Sequence, residues 1–259
     1  TLYGPAFYTS SIVMAWAWWA VIPLLLVSYY GAYALSRSFR KQRGTAAGAF
    51  LIGALFLIVA VIFVHNMNLM LNPGVWKHYF ADPMGAGLVR GDATVGRRLF
   101  HFIVGSFAVT GLIFAVIGVH KFRRAGEDEY SRFLVKAGAA LYTFATLLQA
   151  FVGTALLQGV QSIHPGVFTG GDVVGTRALF IGIACATAAI PALYFATRAA
   201  RPAVWVYGAA ALVVGALSSM AVVRDRLRDI SLAPFYRVEA QDVAVQWSPV
   251  ILFGVLALV

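Results

Sequence analysis

RRLFHFIVGSFAVTGLIFAVIGVHK, residues 97 to 121, is an apolar run long enough to cross a bilayer, with a histidine one turn inside its first end. Counted along a helix from His101, Gly105, Ala108, Gly111, Ala115 and Gly118 recur at steps of three and four, so one face carries an imidazole and then only small residues. Such a face is a groove with two uses. A second helix can pack closely into it, as small-xxx-small faces do in membranes. A flat porphyrin can also lie along it, with the histidine as a nitrogen ligand at the mouth. The residues of this stretch by themselves favour the packed helix.

The rest of the chain has the same character. Of 259 residues, 61% are hydrophobic and 12% charged, and the mean hydropathy of +0.80 excludes an ordinary soluble domain. Apolar segments fall at about 7–35, 46–71, 99–120, 134–158, 174–197 and 203–223, and a seventh begins near 248. Membrane strands would alternate polar and apolar positions, and these runs do not. The expected fold is therefore all-α, a polytopic transmembrane bundle of about seven helices forming one domain over 1–259. Thr1 is not an initiator methionine and the last run is still apolar at Val259, so the sequence reads as part of a longer chain.

A net charge of +10 invites a nucleic-acid reading, but the basic residues stand at helix ends. Arg37, Arg40, Lys41 and Arg43 follow the first segment, Lys121, Arg123, Arg124, Arg132 and Lys136 flank the third connection, and Arg198 and Arg201 follow the fifth segment. The positive-inside rule puts these three connections in the cytoplasm and His101 toward the outer face. The segment 224–247, VRDRLRDISLAPFYRVEAQDVAVQW with its leading valine, reads as an external amphipathic or docking stretch. Cys185 is the sole cysteine, which excludes a disulfide within the sequence, covalent C-x-x-C-H haem and an iron–sulfur ligand set.

Several polar side chains lie at the depth of His101. The second segment ends VIFVHNMNLMLNPGVW, where His65, Asn66 and Asn68 could face the aqueous boundary or bond helix-end carbonyls, while His65 could also be a metal ligand. Arg97 and Arg98 either anchor the helix at the interface or pair with carboxylates such as haem propionates. Arg177, a turn inside the fifth segment, calls for an anion, with a propionate, Asp172 or snorkelling to the interface as the choices. Met220, at the outer end of the sixth segment, is packing or the second half of a His/Met axial pair. Gln149 reads as an interhelical hydrogen bond, because an intramembrane amide needs a partner. Trp16, Trp18 and Trp19 in the first segment read as packing against lipid or neighbouring helices.

The order of these features resembles subunit I of the cytochrome bd quinol oxidases. YGPAFYTSS is similar to a GAP-like turn into an aromatic-rich helix, HNMNLMLNPGVW to an NGWMQNPVG-type helix end, and LFHFIVGSFAVTG to a helix opening with F-x-H and small residues. SRFLVKAGAALYTFATLLQ and GTRALFIG are similar to the helices that follow. The resemblance covers about 8–190 and implies a b-type haem held by His101, with Arg177 near it, in a bacterial inner (cytoplasmic) membrane. Departures are equally plain. Leu179 stands where the family has its methionine ligand, which leaves Met220 or His65 as candidates for the second axial position. The E-x-G-R-Q-P-W segment, the long quinol-binding loop and the two preceding helices of the family have no counterpart. These losses point away from oxygen reduction.

Two expectations follow, of different kinds. One is an electron-transfer subunit carrying haem b near the outer face, passing electrons between membrane quinone and an external redox partner such as a c-type cytochrome, among other membrane subunits. The other is a cofactor-free structural subunit of a larger membrane complex. A transporter lined by His65, Asn66, Asn68 and Arg177 ranks below both, because the sequence has no internal repeat and no carboxylate in a membrane segment.

Overall fold

The computed structural model describes residues 4–81, 83–87, 93–125, 128–235, 237 and 247–258, and every described regular element is helical. In chain order these are α1 (Gly4–Val13), α2 (Ala15–Arg40), α3 (Ala46–Leu71), α4 (Trp76–Ala81), α5 (Ala93–Ala125), α6 (Glu129–Ile163), α7 (Val173–Ala196), α8 (Pro202–Leu232) and α9 (Trp247–Leu258). Six of them, α2, α3, α5, α6, α7 and α8, are long and apolar enough to cross a membrane. The chain is thus a multi-pass helical membrane protein. The seventh expected segment falls on α9 (12 residues), which is not among the six helices long and apolar enough to cross a membrane.

Two boundaries differ from the sequence expectation. The first apolar segment is two helices, interrupted at Met14, whose backbone leaves the helical region at φ −111°, ψ 37°. Residues 84–87 fill the break: the Gly87 N–H donates to the Val13 carbonyl at 2.9 Å, and the Trp16 N–H to the Gly85 carbonyl at 3.2 Å. The Trp16 indole N–H adds a bond to the Met84 carbonyl at 3.2 Å. Backbone groups freed by the interruption are thereby satisfied inside the protein, as the hydrocarbon demands. At the other end of the chain, α8 continues unbroken to Leu232, so residues 224–232 of the expected external segment extend that helix. Residues 238–246 of the same segment lie outside the described residues.

The core forms in three places, the smallest joining Val160, Val167, Phe168 and Leu227. Around α5–α8, Leu112, Ala115 and Val119 meet Val135, Ala139 and Tyr142 of α6, Ala189 and Leu193 of α7, and Val206, Ala209 and Val213 of α8. Around α1–α3, Val13, Met14 and Val21 meet Val59, Ile62 and Leu69, with Trp18 lodged between Phe7 and Phe63 at ring distances of 5.5 and 5.0 Å. Asn72 and Pro73 stop α3, and the Trp76 indole N–H caps its last turn by donating to the Leu69 carbonyl at 2.9 Å.

The small-residue face of α5 is what draws α6 against it. A Cβ on Gly111 would sit 2.6 Å from the Tyr142 amide nitrogen and 2.7 Å from the Gly138 carbonyl oxygen. A Cβ on Gly118 would sit 2.8 Å from the Ser131 carbonyl oxygen, and one on Gly138 would sit 2.6 Å from the Ala115 amide nitrogen. Contacts 111 with 142, 118 with 135 and 105 with 149 keep one antiparallel register along the pair. Turn chemistry supports it at the basic end, where Asp128 and Ser131 form a reciprocal capping box that starts α6.

Candidate functional site

His101 lies eight residues into α5, about 12 Å along its axis at 1.5 Å per residue, and just beyond the tightly packed part of the hairpin. Its ring sits against Gly153 of α6, where an added Cβ would be 3.6 Å from Cε1 and 3.7 Å from Nδ1. A glycine there makes room for the imidazole. One turn away on α6, Gln149 Nε2 lies 2.9 Å from His101 Nδ1 and 3.0 Å from the His101 carbonyl oxygen.

That pair of distances assigns the protons. A backbone carbonyl only accepts, so the group facing it is the amide nitrogen, whose two hydrogens go to the carbonyl and to Nδ1. Nδ1 therefore accepts, and the neutral ring carries its proton on Nε2. Gln149 Oε1 is left buried with no hydrogen-bond partner among the described residues, a costly state for an amide oxygen in an apolar interface.

The other expected residues are placed as follows. Arg98, one turn before His101 on the same face, is buried at 8% exposure. Arg97 is exposed, but its guanidinium crosses Gly159 of α6, where an added Cβ would meet Nη1 at 2.7 Å. Met220 packs on α7, its Cε 2.6 Å from the position of a Cβ on Gly182. His65 Nδ1 is bonded within its own helix to the Val61 carbonyl at 3.0 Å. Arg177 is exposed. Asp172, one of the three choices for it, is engaged elsewhere: it accepts from Arg226 of α8 at 3.1 Å and caps α7 by accepting from the Gly175 N–H at 2.9 Å. Leu179 packs with Val160, Phe168 and Leu227 in an apolar cluster. The structure thus brings His101 together with Gln149, Gly153 and Arg98, while the side-chain contacts of Met220, His65 and Arg177 described above lie elsewhere.

Two polar links were not foreseen from sequence. Asn66 Nδ2 reaches Ser11 of α1 at 3.3 Å and Asn68 Nδ2 reaches Thr94 of α5 at 3.0 Å, so the second-segment asparagines tie three helices together. At the corner of α6, α7 and α8, a π-type turn at Val167–Gly171 is entered by Gly166 at φ 75° and carries Gly170 at φ 118°, conformations that favour glycine. There His164 Nε2 lies 3.0 Å from Ser231 Oγ, beside the Asp172–Arg226 pair. Burial holds the His164 imidazole below its ordinary range, and the Arg226 guanidinium holds the Asp172 carboxyl below its own. The signal in the sequence was Asp172 just before an apolar run, an N-cap pattern.

A haem iron takes the lone pair of an imidazole nitrogen, which offers a direct test of fit. In the described rotamer of Gln149 neither nitrogen of His101 has a lone pair to spare. Turned over, the amide would present Oε1 to a proton on Nδ1 and free Nε2, as in ligating histidines that donate their second nitrogen to a carbonyl, but it would also set Oε1 against the His101 carbonyl oxygen that Nε2 now meets at 3.0 Å. Only in that second rotamer would His101 offer a nitrogen to an iron, with Arg97 and Arg98 within about one turn of it on α5. The groove from Gly105 to Gly118 does not contribute, because α6 fills it. No protein-family model, no curated protein and no solved structure matches this chain.

Proposed function

We propose that this protein is a membrane electron-transfer subunit that holds a b-type haem through His101 Nε2 and passes electrons between membrane quinone and an external redox partner such as a c-type cytochrome. The observation that carries this reading is a histidine two turns inside a membrane helix, held on one edge by Gln149 and Gly153, with Arg98 buried beside it. The resemblance of the sequence to cytochrome bd subunit I supports the same position. Bound there, the haem would supply one-electron chemistry in a low-dielectric setting. His101 would orient the iron, Arg98 and Arg97 would neutralise the propionates, and the apolar α5–α6 packing below would keep water away.

The dithionite-reduced minus oxidised spectrum of purified protein tests this reading. Wild type is expected to show a b-type α-band and His101→Ala to lose it. A wild type without the band, expressed with haem in excess, overturns the reading.

A second reading, a cofactor-free structural subunit of a larger membrane complex, is favoured by one observation: α6 packs against Gly105, Gly111, Ala115 and Gly118 of α5 without a cofactor. It predicts that His101→Leu leaves spectrum and complex assembly unchanged.

A further inference from the structure

We infer that the turn joining α2 to α3 is a binding site for an anionic phospholipid headgroup, whose phosphate it takes through Arg37, Arg40, Lys41 and Arg43. The inference is independent of the haem reading. It starts from an imbalance of charge. Residues 1–81 contain no aspartate or glutamate, yet four basic residues stand in the seven positions from Arg37 to Arg43. Arg40 and Lys41 follow Arg37 at steps of three and four, a spacing at which like charges on a helix repel. All four side chains are exposed, and among the described residues none of them has a hydrogen bond, ion pair or ring contact. Elsewhere the chain supplies partners. Arg226 meets Asp172 at 3.1 Å and Asp229 at 3.7 Å, Arg228 meets Asp225, Lys121 lies over the Tyr130 ring and Arg198 over the Tyr194 ring. The dipole of α2 favours Arg37 and Arg40 in its last turn, but Lys41 and Arg43 lie past the end of the helix.

Depth identifies the anion. Exposed Tyr29, Tyr30 and Tyr33 on α2 and exposed Phe50 and Leu51 on α3 mark the edge of the hydrocarbon beside the turn. From Tyr33 to Arg37 the helix rises about 6 Å at 1.5 Å per residue, and the headgroup layer reaches about 5–8 Å beyond the hydrocarbon on each side. The cations therefore stand at the level of lipid phosphates. The turn is itself well tied: the Arg43 N–H donates to the Ser38 carbonyl at 2.9 Å, and Thr45 caps α3 by accepting from the Gly48 N–H at 3.1 Å. A guanidinium fork matches two phosphate oxygens, and a lysine adds a point charge. An anionic lipid bound here would relieve the repulsion among the four cations while its acyl chains lie along the apolar sides of α2 and α3.

The test counts bound lipid. Purified protein in neutral detergent is titrated with phosphatidylglycerol or phosphatidylcholine, with and without inorganic phosphate, and followed by native mass spectrometry. Phosphatidylglycerol is expected to bind more tightly than phosphatidylcholine and to resist competition by an equal concentration of inorganic phosphate. Arg37→Gln combined with Arg40→Gln is expected to weaken phosphatidylglycerol about 25-fold, at about fivefold for each cation near an anionic surface. Arg37→Lys combined with Arg40→Lys keeps the charge and is expected to keep most of the affinity. Arg123→Gln combined with Arg124→Gln, at the end of α5 where Asp128 and Glu129 follow, is expected to bind as wild type does. The lysine and α5 variants guard against a loss caused by misfolding alone. Equal affinity of wild type for the two lipids overturns the inference and leaves the four cations to an acidic face of a partner protein. Equal losses in the two glutamine variants overturn it as well, because the attraction would then be diffuse. Displacement of the lipid by equimolar inorganic phosphate overturns it in favour of a soluble anion.

Discussion

His101 is held by a side chain that the sequence marked only by its polarity. An amide inside a membrane helix needs a partner, and Gln149 finds two on one residue of α5. Tyr142 is the comparable case without chemistry: it is 2% exposed, and its hydroxyl donates to the Ala186 carbonyl of α7 at 2.9 Å. Tyr142→Phe is expected to lower stability by about 0.5–1.5 kcal/mol and to leave any spectrum unchanged, which thermal unfolding in detergent checks. A loss above that range would mean that the hydroxyl does more than join α6 to α7.

At the scale of elements, the α5–α6 hairpin is made by backbone proximity. Gly111→Ala and Gly138→Ala place a methyl against main-chain atoms at 2.6 and 2.4 Å, which side-chain rotation does not relieve. Each is expected to cost about 1–3 kcal/mol through overpacking. Gly208→Ala on α8 meets nothing within 4 Å and is expected to be neutral or stabilising by up to about 1 kcal/mol from helix propensity. Unfolding midpoints of the three variants in one detergent decide it, and equal losses would contradict the packing. The corner of α6, α7 and α8 responds to acid instead. Both His164 and Asp172 bind protons less readily folded than unfolded, so stability falls as pH falls, first below about 6.5 as His164 charges and then below about 4 as Asp172 is neutralised. Asp172→Ala removes the lower part of this dependence and costs about 1 kcal/mol for the cap, with less than about 1 kcal/mol more for the partly exposed pair with Arg226. Unfolding measured from pH 8 to pH 3 is the check, and a flat profile would refute the assignment.

For the whole molecule, the outward faces are those of a protein in lipid. Trp16 and Trp19 are 74% and 71% exposed, whereas Trp18, between them in sequence, packs on Phe7 and Phe63. Single-tryptophan proteins in bilayers with brominated acyl chains are therefore expected to be quenched strongly at Trp16 and Trp19 and weakly at Trp18. Equal quenching of all three would show that α2 is covered on that side or turned about its axis.

Hydropathy alone determined that this chain is helical and crosses a membrane repeatedly, because twenty apolar residues without alternation have one stable form in hydrocarbon. It also located the first six segments, and the polarity of Gln149 marked its need for a partner. The periodicity of residues 97–121 marked a groove without saying what fills it, since a helix and a flat ring ask for the same small residues; α6 fills it from Gly105 to Gly118. The break at Met14 was invisible because its freed backbone groups are satisfied by residues 84–87, some seventy positions away. Depth along an axis could be counted from the sequence, but which side of its helix each polar residue faces could not. That choice set Arg226 on Asp172, Met220 on Gly182 and Gln149 on His101, and only the packing of the helices against one another decides it.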